Sequence, residues 1–461
     1  MDAVYANLES KGCDGSMEKV HRYIDEAFDR YLVKIKALLR QPSVSATGEG
    51  VRECASLLAR MMEESGIRTE IFETAGNPIV FGEIPAKKGK GNTVLFYGHY
   101  DVQPPDPVNL WDSPPFEPTV RDGRLFARGV SDNKGQLLAH VLAADAFRAA
   151  GMEIPCSVKF VFEGEEESGS TNLPSFVKSH ADLLACQIVL PVDGSVLFGD
   201  VPNVRLGCRG VVNFEIELET ADFDCHSGRG GGILPNAGWE LVNLLRTMKD
   251  ERGNILIEGF MDEVRTPSDY DRKVIDGLPF DSEKLKKLYG VSSLDMTKFE
   301  YYRRLNLAPT LSINGITCGY QGAGSKTVNP SKASVKMDAR IVVDQDPEDI
   351  IGKIRKHVAR HAPNARFRVH GYMHPSKTDG NLPLCRAVLE SLRKVYSGVA
   401  LALGSGGSLP NHVWTGILGV PALGIPYANE DSNNHAPNEN VKLELLKKGI
   451  HASAQIMADL G

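Results

Sequence analysis

The strongest constraint on the fold is a change of strand pattern part-way along the 461-residue chain. TVLFYGHYDV (93–102), SVKFVFEG (157–164) and QIVLPVD (187–193) are nearly continuous apolar runs. Strands of that kind are buried on both faces. Helical periodicity covers residues 18–40, where Val20, Ile24, Tyr31, Ile35 and Leu38 share a face before Gln41-Pro42-Ser43 ends the helix. A second helix is expected from Val51 to Ser65, and a third from Lys134 to Ala150. Strands alternating with helices imply a mostly parallel sheet with helices on both faces.

Near Arg209 the pattern changes. In RGVVNFEIELET, Val212, Phe214, Ile216 and Leu218 alternate with Val211, Asn213, Glu215 and Glu217. That is a half-exposed strand of an antiparallel sheet. A helix follows from about Asn236 to Met248, then a polar, irregular insertion to about Leu307. The strands TLSINGITCGY and SVKMDARIVV, a helix opened by Asp346-Pro347-Glu348, and the strand ARFRVHGY complete a βαββαβ, ferredoxin-like order. After Gly380 the first style returns, with a helix at 383–396, a Gly-rich turn, a helix near Asn411 to Thr415, the strand PALGIPY and a helix from Glu444. The expected division is therefore an α/β domain made of 1–207 and 381–461, with an α+β domain, 208–380, inserted into it.

With 52 basic and 59 acidic residues, the net charge of -7 gives no electrostatic reason to expect a nucleic-acid or anionic-membrane partner. The N-terminal stretch MDAVYANLESKGCDGSMEKV has no apolar run behind a basic one, and no window is apolar enough to span a bilayer. The eight cysteines are scattered without a CxxC pair, which reads as reduced, mostly buried thiols in a cytoplasmic protein.

The acidic and imidazole residues collect at strand ends. His99 and Asp101, two apart, share a face where the first apolar strand finishes. The second strand runs into Glu163-Gly164-Glu165-Glu166-Glu167, the third into Asp193, and PALGIPY into a loop holding His435. Asp132 precedes the 134–150 helix, where it could equally be a cap. Parallel strands bring their carboxyl ends to one edge of an open α/β sheet, and ligands bind there. Carboxylates gathered so closely repel one another unless a cation sits among them. Imidazole with carboxylate suits Zn, Mn or Co.

At these residues the sequence resembles the M20 family of metallopeptidases, in particular dipeptidases of the carnosinase type. The matching stretches are YGHYDVQPPDPVNLWDSPPFEP, GRLFARGVSDNKGQ, FEGEEESGS, PVDGS, DCHSGRGGG, GAGSKTVNP, GGSLP and NNHAPNE. They span nearly the whole chain, and the inserted domain resembles that family's lid and dimerisation domain. The resemblance implies two divalent cations per subunit, Zn first, with Mn or Co as alternatives. His99 and Asp193 would hold one cation, Glu167 and His435 the other, and Asp132 would bridge them. Asp101 would hydrogen-bond the far nitrogen of His99 and fix its tautomer. Glu166 would be the general base that activates water, with Glu165 peripheral. His226 would reach the active site of a partner subunit and meet the oxyanion, so a homodimer is implied. Thr327, Arg340, Gly407 and Ser408 would hold the carboxylate end of the substrate. One departure stands out: carnosinase-type enzymes often have Arg-Glu before Gly-Gly-Ser, whereas this chain has Gly404-Ser405.

The implied activity is hydrolysis of a small peptide by a dipeptidase. An N-acyl amino acid deacylase is the alternative within the family, and a non-catalytic binding protein the alternative outside it. Among the other histidines, His140 reads as helix packing, and His21, His180, His357, His361 and His451 as solvated.

Overall fold

The computed structural model describes residues 15–86 and 91–461; Cys13 and most of the N-terminal stretch read above lie outside them. The first domain opens with helices α1 (Gly15–Arg40) and α2 (Val51–Glu64). A hairpin of β1 (Arg68–Phe72) and β2 (Ile79–Ile84) follows, then β3 (Thr93–His99), α3 (Lys134–Ala149), β4 (Ser157–Glu163) and β5 (Ile188–Pro191). The sheet order is β1-β2-β4-β3-β5. The three apolar runs form its parallel part, with His99 opposite Glu163 and Tyr97 opposite Pro191, so their carboxyl ends are level.

β1 and β2 add an antiparallel edge that the sequence analysis assigned to no element. β1 is short and exposed on most of its length, so it carries little apolar signal. PALGIPY lies beside β5 through Val189 N–H to Pro421 O (2.9 Å) and Ile425 N–H to Pro191 O (2.9 Å). It bridges in parallel at Ala422 rather than forming a full ladder, and its two prolines supply no N–H donors.

α3 is buried from Lys134 to Phe147, and the core around it draws on α1, β3, β4 and the C-terminal helix. His140 accordingly serves packing: it stacks on Phe96 at 4.2 Å, pairs with Ser453 Oγ at 2.9 Å, and burial pushes its pKa down to about 3. Gly98 is needed at the β3–α3 contact, because a Cβ there would stand 2.8 Å from Asn133 Oδ1 and 3.0 Å from Leu137 Cβ. The solvated reading of four other histidines is corrected. His357 is buried, and His21, His180 and His451 are half-buried, with His21 and His451 paired at 2.8 Å between the first and last helices.

The inserted domain contains β6 (Gly210–Glu219), α4 (Ala237–Met248), three short helices α5 (Asp269–Asp276), α6 (Ser282–Tyr289) and α7 (Lys298–Asn306), then β7 (Thr310–Cys318), β8 (Lys332–Ile341), α8 (Pro347–His361) and β9 (Arg366–Met373). Its sheet runs β7-β8-β6-β9, every pairing antiparallel. Val212, Phe214, Ile216 and Leu218 face Leu241 and Leu244 of α4 and Ile350, Ile354 and Val358 of α8 in a core of their own.

The insertion before β7, expected to be irregular throughout, contains three short helices. Ser268, Asp281 and Thr297 each accept an N–H of the following first turn and so start α5, α6 and α7. These helices have only eight or nine residues, too few for a clear apolar period. Val274, Ile275, Leu278 and Tyr302 pack α5 and α7 on Ala402 and Leu403, beside the Gly-rich turn. The chain then completes the first domain with α9 (Pro383–Val395), a π-helical turn at Val413–Leu418 in place of the helix expected near Asn411, and α10 (Leu443–Asp459). Among the described residues, no helix is long and apolar enough to cross a membrane.

Candidate metal centre

Because the parallel strands end level, the loops leaving β3, β4 and β5 open onto one rim, and the loop after PALGIPY reaches the same place. His99 Nε2 lies 3.0 Å from Asp132 Oδ1 and 3.7 Å from Asp193 Oδ2. His435 Nε2 lies 3.1 Å from Asp132 Oδ2 and 3.2 Å from Glu167 Oε2. Asp132 therefore turns one carboxylate oxygen to each imidazole. Two groups of potential ligands result: His99, Glu166 and Asp193, and Asp132, Glu167 and His435, each with one donor atom per residue inside 4.8 Å of the others. Glu166, expected as a base, stands geometrically with the first group. His435 is the exposed member, while His99 and Asp101 are fully buried.

The electrostatics of this rim are those of a cation site. Burial and the charge of Asp132 push Asp193 up to about 7. Burial, with Asp193 and Glu167 nearby, raises Glu166 well above the usual carboxylate range. Hydrogen bonds to Asp132 and Glu167 raise His435 to about 10, and those to Asp101 and Asp132 raise His99 against the effect of its burial. Hydrogen bonds from the two imidazoles hold Asp132 low although burial opposes this. Five carboxylates (Asp101, Asp132, Glu166, Glu167, Asp193) thus lean on two imidazolium charges. Carboxylate and imidazole donors in this ratio fit divalent cations of the Zn, Mn or Co kind.

Around the donors lies a scaffold of main-chain contacts. Asp101 accepts the N–H groups of Glu166 (3.2 Å) and Glu167 (3.0 Å), so one carboxylate fixes the backbone of both. Its Oδ1 is 3.4 Å from His99 Nδ1, but the closer partner of that nitrogen is the Asp101 carbonyl at 3.1 Å. Both are acceptors, which keeps a proton on Nδ1 and leaves Nε2, facing Asp132 and Asp193, as the nitrogen that would give up its proton to bind a cation. Gln103 donates to Glu167 Oε2 at 3.0 Å. Glu165 stays outside the cluster and anchors its loop, accepting the Asn77 N–H (2.9 Å) and the Asn172 side chain (2.8 Å).

Sequence reasoning missed two supporting residues. Glu439 is fully buried; its Oε1 accepts the N–H groups of Ser131 (2.8 Å) and Asp132 (3.0 Å), and its Oε2 accepts Gly129 N–H and Arg128 Nη1, both at 2.8 Å. This glutamate shapes the loop that presents Asp132. Asn133 Oδ1 accepts the His99 N–H (3.3 Å) while its Nδ2 donates to Val192 O (2.6 Å), tying the ends of β3 and β5 together. An Asn next to a candidate ligand and a Glu four residues after His435 were visible signals, but neither residue type announces a buried acceptor.

The residues expected to hold substrate fall into two places. Arg340 Nη1 donates to Ser408 Oγ at 2.7 Å, joining the inserted domain to the Gly-rich turn that contains Gly407. Thr327 lies elsewhere, 3.1 Å from His226 Nε2 on an exposed part of the inserted domain. His226 Nδ1 accepts the Gly228 N–H (2.9 Å), so Nε2 carries the proton and donates to Thr327.

Comparison with known proteins places these features in context. Peptidase family M20/M25/M40 matches the chain over residues 95–459. The chain is 29% identical over 463 residues to the Cys-Gly metallodipeptidase dug1 of Schizosaccharomyces pombe, covering 94% of this chain and 96% of that one. It is 31% identical over 364 residues to the beta-Ala-His dipeptidase of Rattus norvegicus, covering 75% and 74%. The crystal structure of an M20 family metallo-carboxypeptidase, Sso-CP2 from Sulfolobus solfataricus, superposes with a TM-score of 0.88 at 34% identity, covering 93% of this chain and 98% of that one.

Two outcomes follow from the geometry. Glu439→Ala leaves Arg128 as an unpaired buried charge and frees three N–H groups, and should cost about 3–5 kcal/mol in urea unfolding. Cation binding must strip protons from His99, His435, Glu166 and Asp193, so affinity should rise with pH. Calorimetric titration with Zn²⁺ or Mn²⁺ in buffers of different ionisation enthalpy should register net proton release.

Proposed function

The chain belongs to peptidase family M20/M25/M40, and from that premise we propose that this metal-dependent hydrolase is a dipeptidase working with two divalent cations per chain, Zn first. The observation that carries the proposal is the Asp132 carboxylate set between two imidazoles, one oxygen to each. On this reading His99 and Asp193 hold one cation, Glu167 and His435 the other, and Asp132 is shared. The cations, when bound, supply Lewis acidity that activates water and polarises the scissile carbonyl.

The rest of the chemistry belongs to the chain's own residues. Glu166 takes a proton from the attacking water and passes it to the leaving amine. Asp101 keeps Glu166 and Glu167 in place through their N–H groups. Arg340, oriented by Ser408, pairs with the substrate's carboxylate, and the main chain at Gly407 lies alongside. His226 and Thr327, paired on the exposed inserted domain, act on the site of a second subunit. A homodimer is further supported by the exposed Trp239 and Val242 on α4 and by Ile313 and Ile316 on β7, an edge strand whose far side pairs with no other strand among the described residues. A cytoplasmic address agrees with seven free cysteines among the described residues.

One observation favours a second reading. Gly404-Ser405 stands where carnosinase-type dipeptidases often have Arg-Glu, so the turn lacks the charged pair that those dipeptidases carry. N-acyl amino acids, which lack a free α-ammonium group, are the alternative substrate class.

Elemental analysis with chelation and re-metallation should show cation content and hydrolysis of a dipeptide panel rising together. Less than one ion per chain after saturation, with activity indifferent to chelator, would sink the proposal. Glu166→Gln should retain the cations and lose turnover by about 10²–10⁴-fold, whereas Glu167→Gln should lose a cation. Mixed dimers of Glu166→Gln and His226→Ala subunits should recover activity that neither variant has alone; no recovery would remove His226 from the partner's site.

A further inference from the structure

We propose that Gln103 and Asn434 are positioning residues for the cation on the His435 side. Their side-chain amides fix the two carboxylate oxygens that face His435, and the affinity of that side alone depends on them. The proposal rests on the reading of Glu167, His435 and the shared Asp132 as the holders of one cation, and it adds what keeps them aimed.

The oxygens turned toward His435 Nε2 are Asp132 Oδ2 at 3.1 Å and Glu167 Oε2 at 3.2 Å. Each of them also accepts a neutral amide N–H. Asn434 Nδ2 donates to Asp132 Oδ2 at 3.3 Å, and Gln103 Nε2 donates to Glu167 Oε2 at 3.0 Å. A carboxylate oxygen has two lone pairs, so the amide occupies one and leaves the other for the space beside His435.

Neither amide is free to turn. Gln103 Nε2 also donates to Glu167 O at 3.3 Å, so its two hydrogens grip the side chain and the main chain of one residue. Asn434 Oδ1 lies 2.7 Å from Ser131 Oγ and accepts from Ser432 Oγ at 2.9 Å. With its oxygen and nitrogen exchanged, Asn434 would set an oxygen against the Asp132 carboxylate, which can only accept.

The His99 side is fastened by other means. Among the described residues no side-chain amide donates to Asp132 Oδ1 or Asp193 Oδ2, the oxygens nearest His99. Asp193 Oδ1 takes the Gly194 N–H instead, so main chain aims that carboxylate. The two imidazoles differ in the same sense: the His99 side chain is 0% exposed and the His435 side chain 53%. Packing holds the first side, and hydrogen bonds must hold the open one. Partners of this kind typically carry about 10–100-fold of a site's cation affinity.

The test is calorimetric titration of the chelator-stripped full chain with Mn²⁺, of which the wild type should bind two ions. Gln103→Met and Asn434→Leu keep much of the side chain's shape and remove the amide. Each should leave one ion bound within about twofold of the wild type and weaken the other by about 10–100-fold. Gln103→Met is the decisive variant, because Asn434→Leu also strands two hydroxyls. Added to His435→Ala, it should not weaken the single ion that remains, which then lies on the His99 side. The Mn²⁺ concentration giving half-maximal dipeptide hydrolysis should rise by the same factor, with kcat at saturating Mn²⁺ kept within about twofold. Both ions weakened alike, or neither, overturns the inference, as does a fall in kcat that saturating Mn²⁺ does not restore. A wild type that binds one ion removes the two-cation reading and this inference with it. Two ions bound with the expected variant pattern, but no dipeptide hydrolysed, removes the dipeptidase reading and leaves the inference standing.

Discussion

Asp132 shares its carboxylate between two imidazoles, and much of the first domain can be read as what holds that one side chain still. Its backbone N–H is taken by Glu439, its neighbour Asn133 ties β3 to β5, and its two oxygens face His99 and His435. Such an arrangement in a buried rim is tolerable only with positive charge on both sides. Without cations the imidazolium protons take that part, which is why His435 and His99 are pushed up while Asp132 is held down. The metal requirement is thus visible in the protein's own proton balance.

The surrounding glutamates divide the labour by where their oxygens point. Glu439 and Glu165 accept main-chain N–H groups and shape loops. Glu163 is buried against Tyr97 O–H (2.5 Å) and Ser170 Oγ (2.9 Å), with burial pushing it up to about 8. Only Glu166 and Glu167 reach the donor clusters. Four residues of one five-residue run, together with Glu439, therefore serve different ends. Composition cannot distinguish them, because the difference is the direction of a loop that Asp101 and Glu165 fasten at two points.

The inserted domain meets the first through an apolar cluster, where Val274, Ile275, Leu278 and Tyr302 pack on Ala402 and Leu403, and through polar ties to the Gly-rich turn. Arg340 reaches Ser408, Arg209 reaches Gly406, and α7 braces Gly404. A movement of the inserted domain would shift Arg340 relative to the cluster of His99, Asp132 and His435. His226 and Thr327 sit on the same domain but pair with each other in the open.

Much of this was legible without coordinates. Continuous apolar runs dictate strands buried on both faces, alternation dictates the half-exposed sheet of the inserted domain, and placing His99, Asp193 and the glutamate run at strand ends follows from the same periodicities. These are local properties, repeated every two or 3.6 residues, and the chain records them directly. The β1–β2 edge, the helices of the insertion, the burial of His357 and the acceptor role of Glu439 were not recorded. Each depends on contacts between residues far apart in the chain: Glu439 meets residues some 310 positions away. The sequence by itself settled which residue types would gather at one rim. Only the tertiary structure decided which oxygen of Asp132 faces which imidazole, which glutamates turn inward, and that Thr327 leaves Arg340 to join His226, because those outcomes are set by loop direction and packing, which no periodicity encodes.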